Sequence, residues 1–437
     1  MSKNKQWWWI VQKRVFKHFC RIFFSMIGLS VLNANGDFYQ GEKLNIDGDI
    51  QLKLVTLDEL PVDGGFKLPE TTYSDVVTSL WATWQAAENV RIKAWVKNEF
   101  RNYVKNKAAN NYRFLDEFAF HELSAEFTNL LGGGLDLKVG RFPLLGYGRG
   151  LQILESSPLD AERSYGFNAV RGRLKFERIE LDLIGMYSPR EDEFLINNKK
   201  KTNGFLESAE QGFVAYLHNK SHPNLPKSLY YMYKHEQPRF GREDLYLHTA
   251  GFIWEHELTP AWSTYWETAH QLGHRARGGD VRGWLSDFFL TYRLADRPWK
   301  PELYVNNYYL SGDDPNTETE ENWHGLWARW PQDSYFMVWQ FIPRIGDWTN
   351  MNWSRLGFKV YPGSRTSIEM SAGPITAPEK GLGGGNERGH LGIMILRHKL
   401  TEKLSMMARA EVFESGDFHP EEDNISWTAR VQFKYEF

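Results

Sequence analysis

Read along the chain, the dominant hydrophobic period is two. Leu44, Ile46, Ile50, Leu52 and Leu54 alternate with Asn45, Asp47, Asp49, Gln51 and Lys53, which predicts a strand with one apolar and one polar face. The last segment repeats the pattern: Trp427, Ala429, Val431, Phe433, Tyr435 and Phe437 alternate with Thr428, Arg430, Gln432, Lys434 and Glu436. Similar runs occur near 89–100, 166–176, 179–187, 281–294, 352–361 and 404–413. Strands of a soluble sandwich average about five or six residues, whereas a tilted strand crossing a bilayer needs about ten.

The connections sharpen the choice. Long polar segments at 56–72, 101–116, 143–165, 189–207, 236–244, 272–280, 342–351, 378–388 and 414–423 alternate with short turns. The short ones include Ala86 to Asn89, Glu177 to Arg178, Thr259 to Ala261, Tyr361 to Thr366 and Leu400 to Leu404. Long loops alternating with short turns are the mark of an outer-membrane barrel with short periplasmic turns and long external loops. The expected fold is therefore all-β, a transmembrane antiparallel β-barrel in the bacterial outer membrane. It is expected to have 18 strands, because the poorly alternating stretch Trp323 to Trp339 reads as folding back within an outer loop; 20 result if residues 323–341 form a wall pair. A large secreted β-protein with ordinary aromatic cores is the competing reading.

Composition agrees with the barrel. The 437 residues include 18 Trp, 20 Tyr and 28 Phe, too much apolar surface for a disordered chain, yet the mean hydropathy is −0.53. Aromatic girdles outside and a polar lumen inside account for that pairing. Lys3, Lys5, Lys13, Arg14, Lys17 and Arg21 precede the apolar run Ile22 to Leu32, the order of a secretory signal. Residues 1–34 are expected to be the signal peptide and 35–437 a single barrel domain. Cleavage would remove the only cysteine, Cys20, and six basic residues, taking the formal charge from −3 to −9. An acidic chain of this kind is a poor nucleic-acid binder.

The block VGRFPLLGYGRGLQILESSPLDAERSYGFNAVRGRL (139–174), followed by IELDLIGMYSPRED (179–192), resembles the core of the bacterial alginate-export outer-membrane porins. The stretches GDWTNMNWSRLGFKVYP (346–362) and RAEVFESGDFHPEEDNISWTARVQFKYEF (409–437) are similar to later strands of that family. The resemblance implies an 18-stranded monomeric barrel that passes an anionic polysaccharide, an alginate-like polyuronate, outward through an arginine-lined constriction. Its motif carries over to Arg141, Arg149, Arg163 and Arg171.

The strand faces can be read independently of that resemblance. Arg171 and Arg173 lie opposite Val170 and Leu174, and Arg355 lies opposite Leu356; Arg91, Arg409 and Arg430 also sit on polar faces. These positions point inward if the apolar faces meet lipid, where charge costs about 2–4 kcal/mol at the midplane. Arg141 falls on the apolar parity of Leu135, Leu137 and Val139, so it belongs at the strand's outer end or beyond a bulge. Inward acidic residues include Asp47, Asp49, Asp136, Glu180, Asp182, Glu411 and Glu436, so the arginines either form an anion path or pair across the wall. Guanidinium suits the path because it offers carboxylates paired, permanently charged hydrogen bonds.

Among the loops, 143–165 is expected to occlude the lumen, because its apolar residues Phe142 to Leu145 and Leu151 to Leu154 need burial. No cofactor, metal site or catalytic residue is expected: His121-Glu122 lacks a second zinc histidine, and His121 and Ser124 have opposite face parity. The expected partners are an anionic polysaccharide or oligosaccharide, outer-membrane lipid, and the barrel-assembly machinery through the strand ending at Phe437. Uptake of small acidic oligosaccharides is the alternative to export, and a lipid-modifying barrel enzyme is the remaining class.

Overall fold

In the computed structural model, residues 39–437 are described apart from 59, 63–65, 106–111, 154–165, 191–194, 199–207, 221–224, 239–242, 329–332, 341–347 and 421–424. The expected signal peptide and Arg163 lie outside the described residues. Eighteen wall strands follow one another along the chain. The first nine are β1 (Leu44–Leu57), β2 (Thr71–Ala87), β3 (Val90–Lys105), β4 (Tyr112–Leu130), β5 (Leu135–Phe142), β6 (Phe167–Lys175), β7 (Ile179–Ser188), β8 (Ser208–Asn219) and β9 (Ser228–Pro238). The rest are β10 (Leu245–Glu257), β11 (Trp262–Arg275), β12 (Asp280–Arg293), β13 (Glu302–Leu310), β14 (Met351–Gly363), β15 (Thr366–Thr376), β16 (Glu387–Lys399), β17 (Leu404–Ser415) and β18 (Ile425–Glu436).

Each strand pairs antiparallel with its sequence neighbour, and β1 pairs with β18 from Asp49↔Glu436 to Leu57↔Thr428, which closes the barrel. The closing seam ends in reciprocal backbone bonds between Gly48 and Phe437, 2.9 and 3.0 Å long. Short strands at Tyr39–Gln40 and Leu195–Asn198 add to the same sheet without entering the wall. Closure removes the unpaired edges that a sheet could not carry through hydrocarbon.

The wall faces follow the sequence alternation. Val170, Phe176, Leu356, Phe358, Val412 and Trp427 are exposed on the outside, and the alternate positions point in. The stretch from Trp323 to Trp339 does fold back: β13 and β14 pair directly, and the described residues of the 311–350 connection turn inward from Trp323 and carry the short helix α1 (Tyr335–Gln340). The buried apolar core accordingly sits inside the barrel rather than between two layers. It joins Leu144, Tyr147, Leu151 and Ile153 of the 143–165 loop to Trp323, Leu326, Trp327, Phe336, Met337 and Trp348 of the 311–350 loop.

Candidate functional site

Two loops converge in the lumen because each carries anchors that match groups on the wall. In the first, Tyr147 donates to Asp182 of β7 at 2.6 Å, and Ile153 bridges to Trp327 of the second loop. In the second, Lys234 of β9 donates to the Leu326 carbonyl at 2.7 Å, while the Trp327 ring lies against Gly212 of β8. A Cβ at Gly212 would stand 2.2 Å from that ring, so only glycine admits it.

Helix α1 is anchored by Glu411 of β17. Its carboxylate accepts from the Ser334 hydroxyl at 2.7 Å and from the Tyr335 and Phe336 amides at 2.8 and 3.2 Å. Those amides have no partner within the helix, so the barrel wall supplies their cap. The Tyr335 hydroxyl meets that of Tyr73 on β2 at 2.8 Å, which fixes the loop to the strands on the far side of the closing seam.

This docking delivers Asp333 to three guanidinium groups from three elements. Arg149, from the first loop, reaches both Asp333 oxygens through one nitrogen at 3.1 and 2.9 Å, and donates to Asp287 of β12 at 2.8 Å. Arg355 of β14 donates to Asp333 at 2.7 Å and to Asn306 at 2.8 Å, with its guanidinium 4.0 Å from the Trp353 ring centroid. Arg409 of β17 donates to the Asp333 backbone carbonyl and pairs with Glu411. Burial acts to raise the Asp333 carboxyl, but the charges of Arg149 and Arg355 outweigh it and hold the group well below the usual carboxylate range.

Arg149, Asp333, Arg355 and Arg409 line one end of a cavity of about 620 Å³. Tyr265, Phe289, Tyr304, Ile393 and Ile395 form an apolar flank beside them. Lys227, Glu255, His256 and Arg293, at the short-turn end of their strands, line the other extremity. The space therefore runs from the arginine cluster toward the short-turn mouth of the barrel.

Solved structures similar to this one include outer-membrane porins. A BenF-like porin from Pseudomonas fluorescens Pf-5 matches with a TM-score of 0.57 at 12% identity, over 90% of this chain and 98% of that one. The Pseudomonas aeruginosa porins OpdK and OccK3 (OpdO) each give 0.55 at 10% identity, over 90% of this chain and 98% and 95% of theirs. The fold is that of an outer-membrane porin. No family profile matches the sequence, and no curated protein is similar to it.

Of the likeness to alginate-export porins, the comparisons carry the outer-membrane porin fold and indicate no alginate-export family. The physical reason is that much of the shared pattern is what any such wall requires: arginines on lumen-facing parity, apolar residues between them, and polar loops at strand ends.

Of the arginines singled out by the sequence, the structure brings Arg149, Arg355 and Arg409 together. Arg430 is buried directly across from Arg409 on β18. Arg91 stands on β3, Arg141 on β5, and Arg171 and Arg173 on β6. Arg173 makes a two-bond pair with Asp182, 2.7 Å each, while Arg91 and Arg171 share Glu126, the latter at 3.6 Å.

Arg141 is 4% exposed at the outer end of β5, beyond a kink at Gly140, whose φ of +125° few other residues adopt. Its side chain lies against Gly166. A bulge in β4 likewise overturns the parity assigned to His121: the ring packs on lumenal Trp95, centroids 4.3 Å apart. Ser124 donates instead to Glu122.

Sequence reasoning missed Asp333, Asp287, Asn306 and the aromatic flank. Asp287 and Phe289 share the inward parity of β12 and were readable in principle. Asp333 stands in a stretch without periodicity and gave no such signal.

Proposed function

We propose that this porin is a passive uptake channel for small carboxylates with an apolar or aromatic body. The observation that carries the reading is the convergence of Arg149 and Arg355 on the Asp333 carboxylate, with Arg409 on its backbone carbonyl, beside a flank of Tyr265, Phe289, Tyr304, Ile393 and Ile395. Paired guanidinium donors match a planar carboxylate, and the flank receives the rest of the solute. One similar porin, OpdK, has a crystal structure with vanillate, an aromatic carboxylate.

Export of a polyuronate fits less well, because two loops pack their apolar residues within the lumen and leave a cavity sized for a small molecule. Short acidic oligosaccharides bear the same carboxylate and form the second substrate class to be tested. The channel is read as a conduit without catalysis.

Planar-bilayer recordings distinguish these readings. Anion preference in the reversal potential and concentration-dependent block by benzoate are the expected results. Cation preference together with no block by any carboxylate overturns the proposal. Block by oligouronates but not by benzoate moves the substrate class to acidic sugars.

A further inference from the structure

Asp333 is the part of the arginine cluster that a solute would most resemble. Its side chain is about 30% exposed, like that of Arg149 at 29%, whereas the Arg355 side chain it also meets is 6% exposed. It receives three of the four guanidinium bonds directed at this residue, and the fourth goes to its backbone carbonyl. An incoming carboxylate would need these same donors.

Resting on the carboxylate-channel reading, we infer that Asp333 is a tethered competitor: it occupies the arginine site as a solute's carboxylate would, and so determines which anions the channel admits. A group held on a docked loop presents itself at an effective concentration on the order of millimolar or above. Solutes that bind the guanidinium groups weakly are then excluded, and those with a second favourable contact, such as a ring on the Tyr265 and Phe289 flank, displace it. The apparent affinity of every carboxylate is lowered by the fraction of time Asp333 holds the site.

The loop does not depend on this carboxylate for its position. Glu411 holds Ser334, Tyr335 and Phe336, Tyr73 holds Tyr335, and Arg409 holds the Asp333 main chain. Removing the Asp333 charge therefore frees the arginines without undocking the segment. Asp287 remains on Arg149 and Asn306 on Arg355, so the guanidinium groups stay oriented.

The test is single-channel block by benzoate in wild type, Asp333→Asn and Asp333→Glu, each first shown to be a folded barrel by heat-dependent gel mobility. Asp333→Asn should bind benzoate at least tenfold more tightly and shift the reversal potential further toward anions. Asp333→Glu, which retains a competing carboxylate, should stay within about threefold of wild type. Asp333→Ser serves as the neutral variant if the amide fails to fold. Unchanged or weaker block in the neutral variant, with wild type still blocked, overturns the competitor role alone, as does an equal gain in Asp333→Glu. No block in wild type and variants alike overturns the carboxylate reading beneath it.

Discussion

Arg355 makes two directional bonds at once, to Asn306 and Asp333, while stacking on Trp353. A lysine keeps the charge but offers a point donor that cannot reproduce both bonds and the stack. Arg355→Lys should therefore preserve small-anion preference in reversal potentials yet weaken benzoate block by about tenfold. Arg173 is a different kind of residue. Its partner Asp182 is fully buried and also accepts from Tyr147. Deleting one member of a fully buried pair costs about 3–5 kcal/mol, and the cost here is smaller because Arg173 is 27% exposed and Asp182 keeps Tyr147. Arg173→Ala should lower the thermal transition of the barrel in detergent while leaving benzoate affinity nearly unchanged. Loss of block with unaltered stability would place Arg173 on the solute path instead.

At the scale of elements, α1 is too short to persist by itself, and its position rests on the Glu411 carboxylate. Glu411→Gln removes the charge that accepts from three donors of the helix start. The expected outcome is a higher single-channel conductance and faster proteolysis within 311–350, because the loop then leaves the lumen part of the time. A second pair of loops meets outside. Phe418 and Asp417 exchange backbone bonds with Glu387, Gly383 and Gly385, and His419 is packed beneath them with 1% exposure. Burial first, and then the Arg388 charge, lower the His419 imidazole to about 4 from 6.5. An undocked loop would bind its proton near the ordinary value. Docking is thus fully stable above about pH 6.5 and weakens as pH falls toward 4, by up to about 3 kcal/mol. Amide exchange of 377–386 and 416–420 should accelerate relative to the strands between pH 7 and pH 5, and His419→Phe should remove much of that dependence.

For the whole molecule, closure between β1 and β18 makes eighteen strands one cooperative unit. Such a barrel should migrate anomalously on gels until boiled. Recovery from the membrane fraction with the same mobility before and after heating would contradict it. Net charge is a poor guide to permeation here. The conducting space samples Arg149, Arg355, Arg409, Asp333 and the rim groups, not the acidic residues of 311–322, of which Asp313 and Glu318 stand exposed at the outer surface. The proposed anion preference, in spite of a negative chain, rests on that local field and is checked by the reversal potential.

The alternation of Val170, Arg171, Gly172 and Arg173, and of Leu356 beside Arg355, determined strand positions and faces from the sequence alone. A strand's period of two is set locally by the pleat, and the contrast between lipid and water imposes it on residue type. The long and short connections likewise pointed to the barrel, and the broken alternation of Trp323 to Trp339 marked a segment that does not join the wall. Periodicity could not show where that segment lands. Asp333 gains its meaning only when Glu411, some eighty positions away in sequence, caps α1 and sets the carboxylate between arginines from a loop and a strand. The same holds for Arg141 and His121, where a glycine kink and a bulge reverse the parity that a regular strand would give. Wall parity is a property of consecutive residues, whereas a constriction is made by contacts across the lumen, and those exist only once the ring has closed.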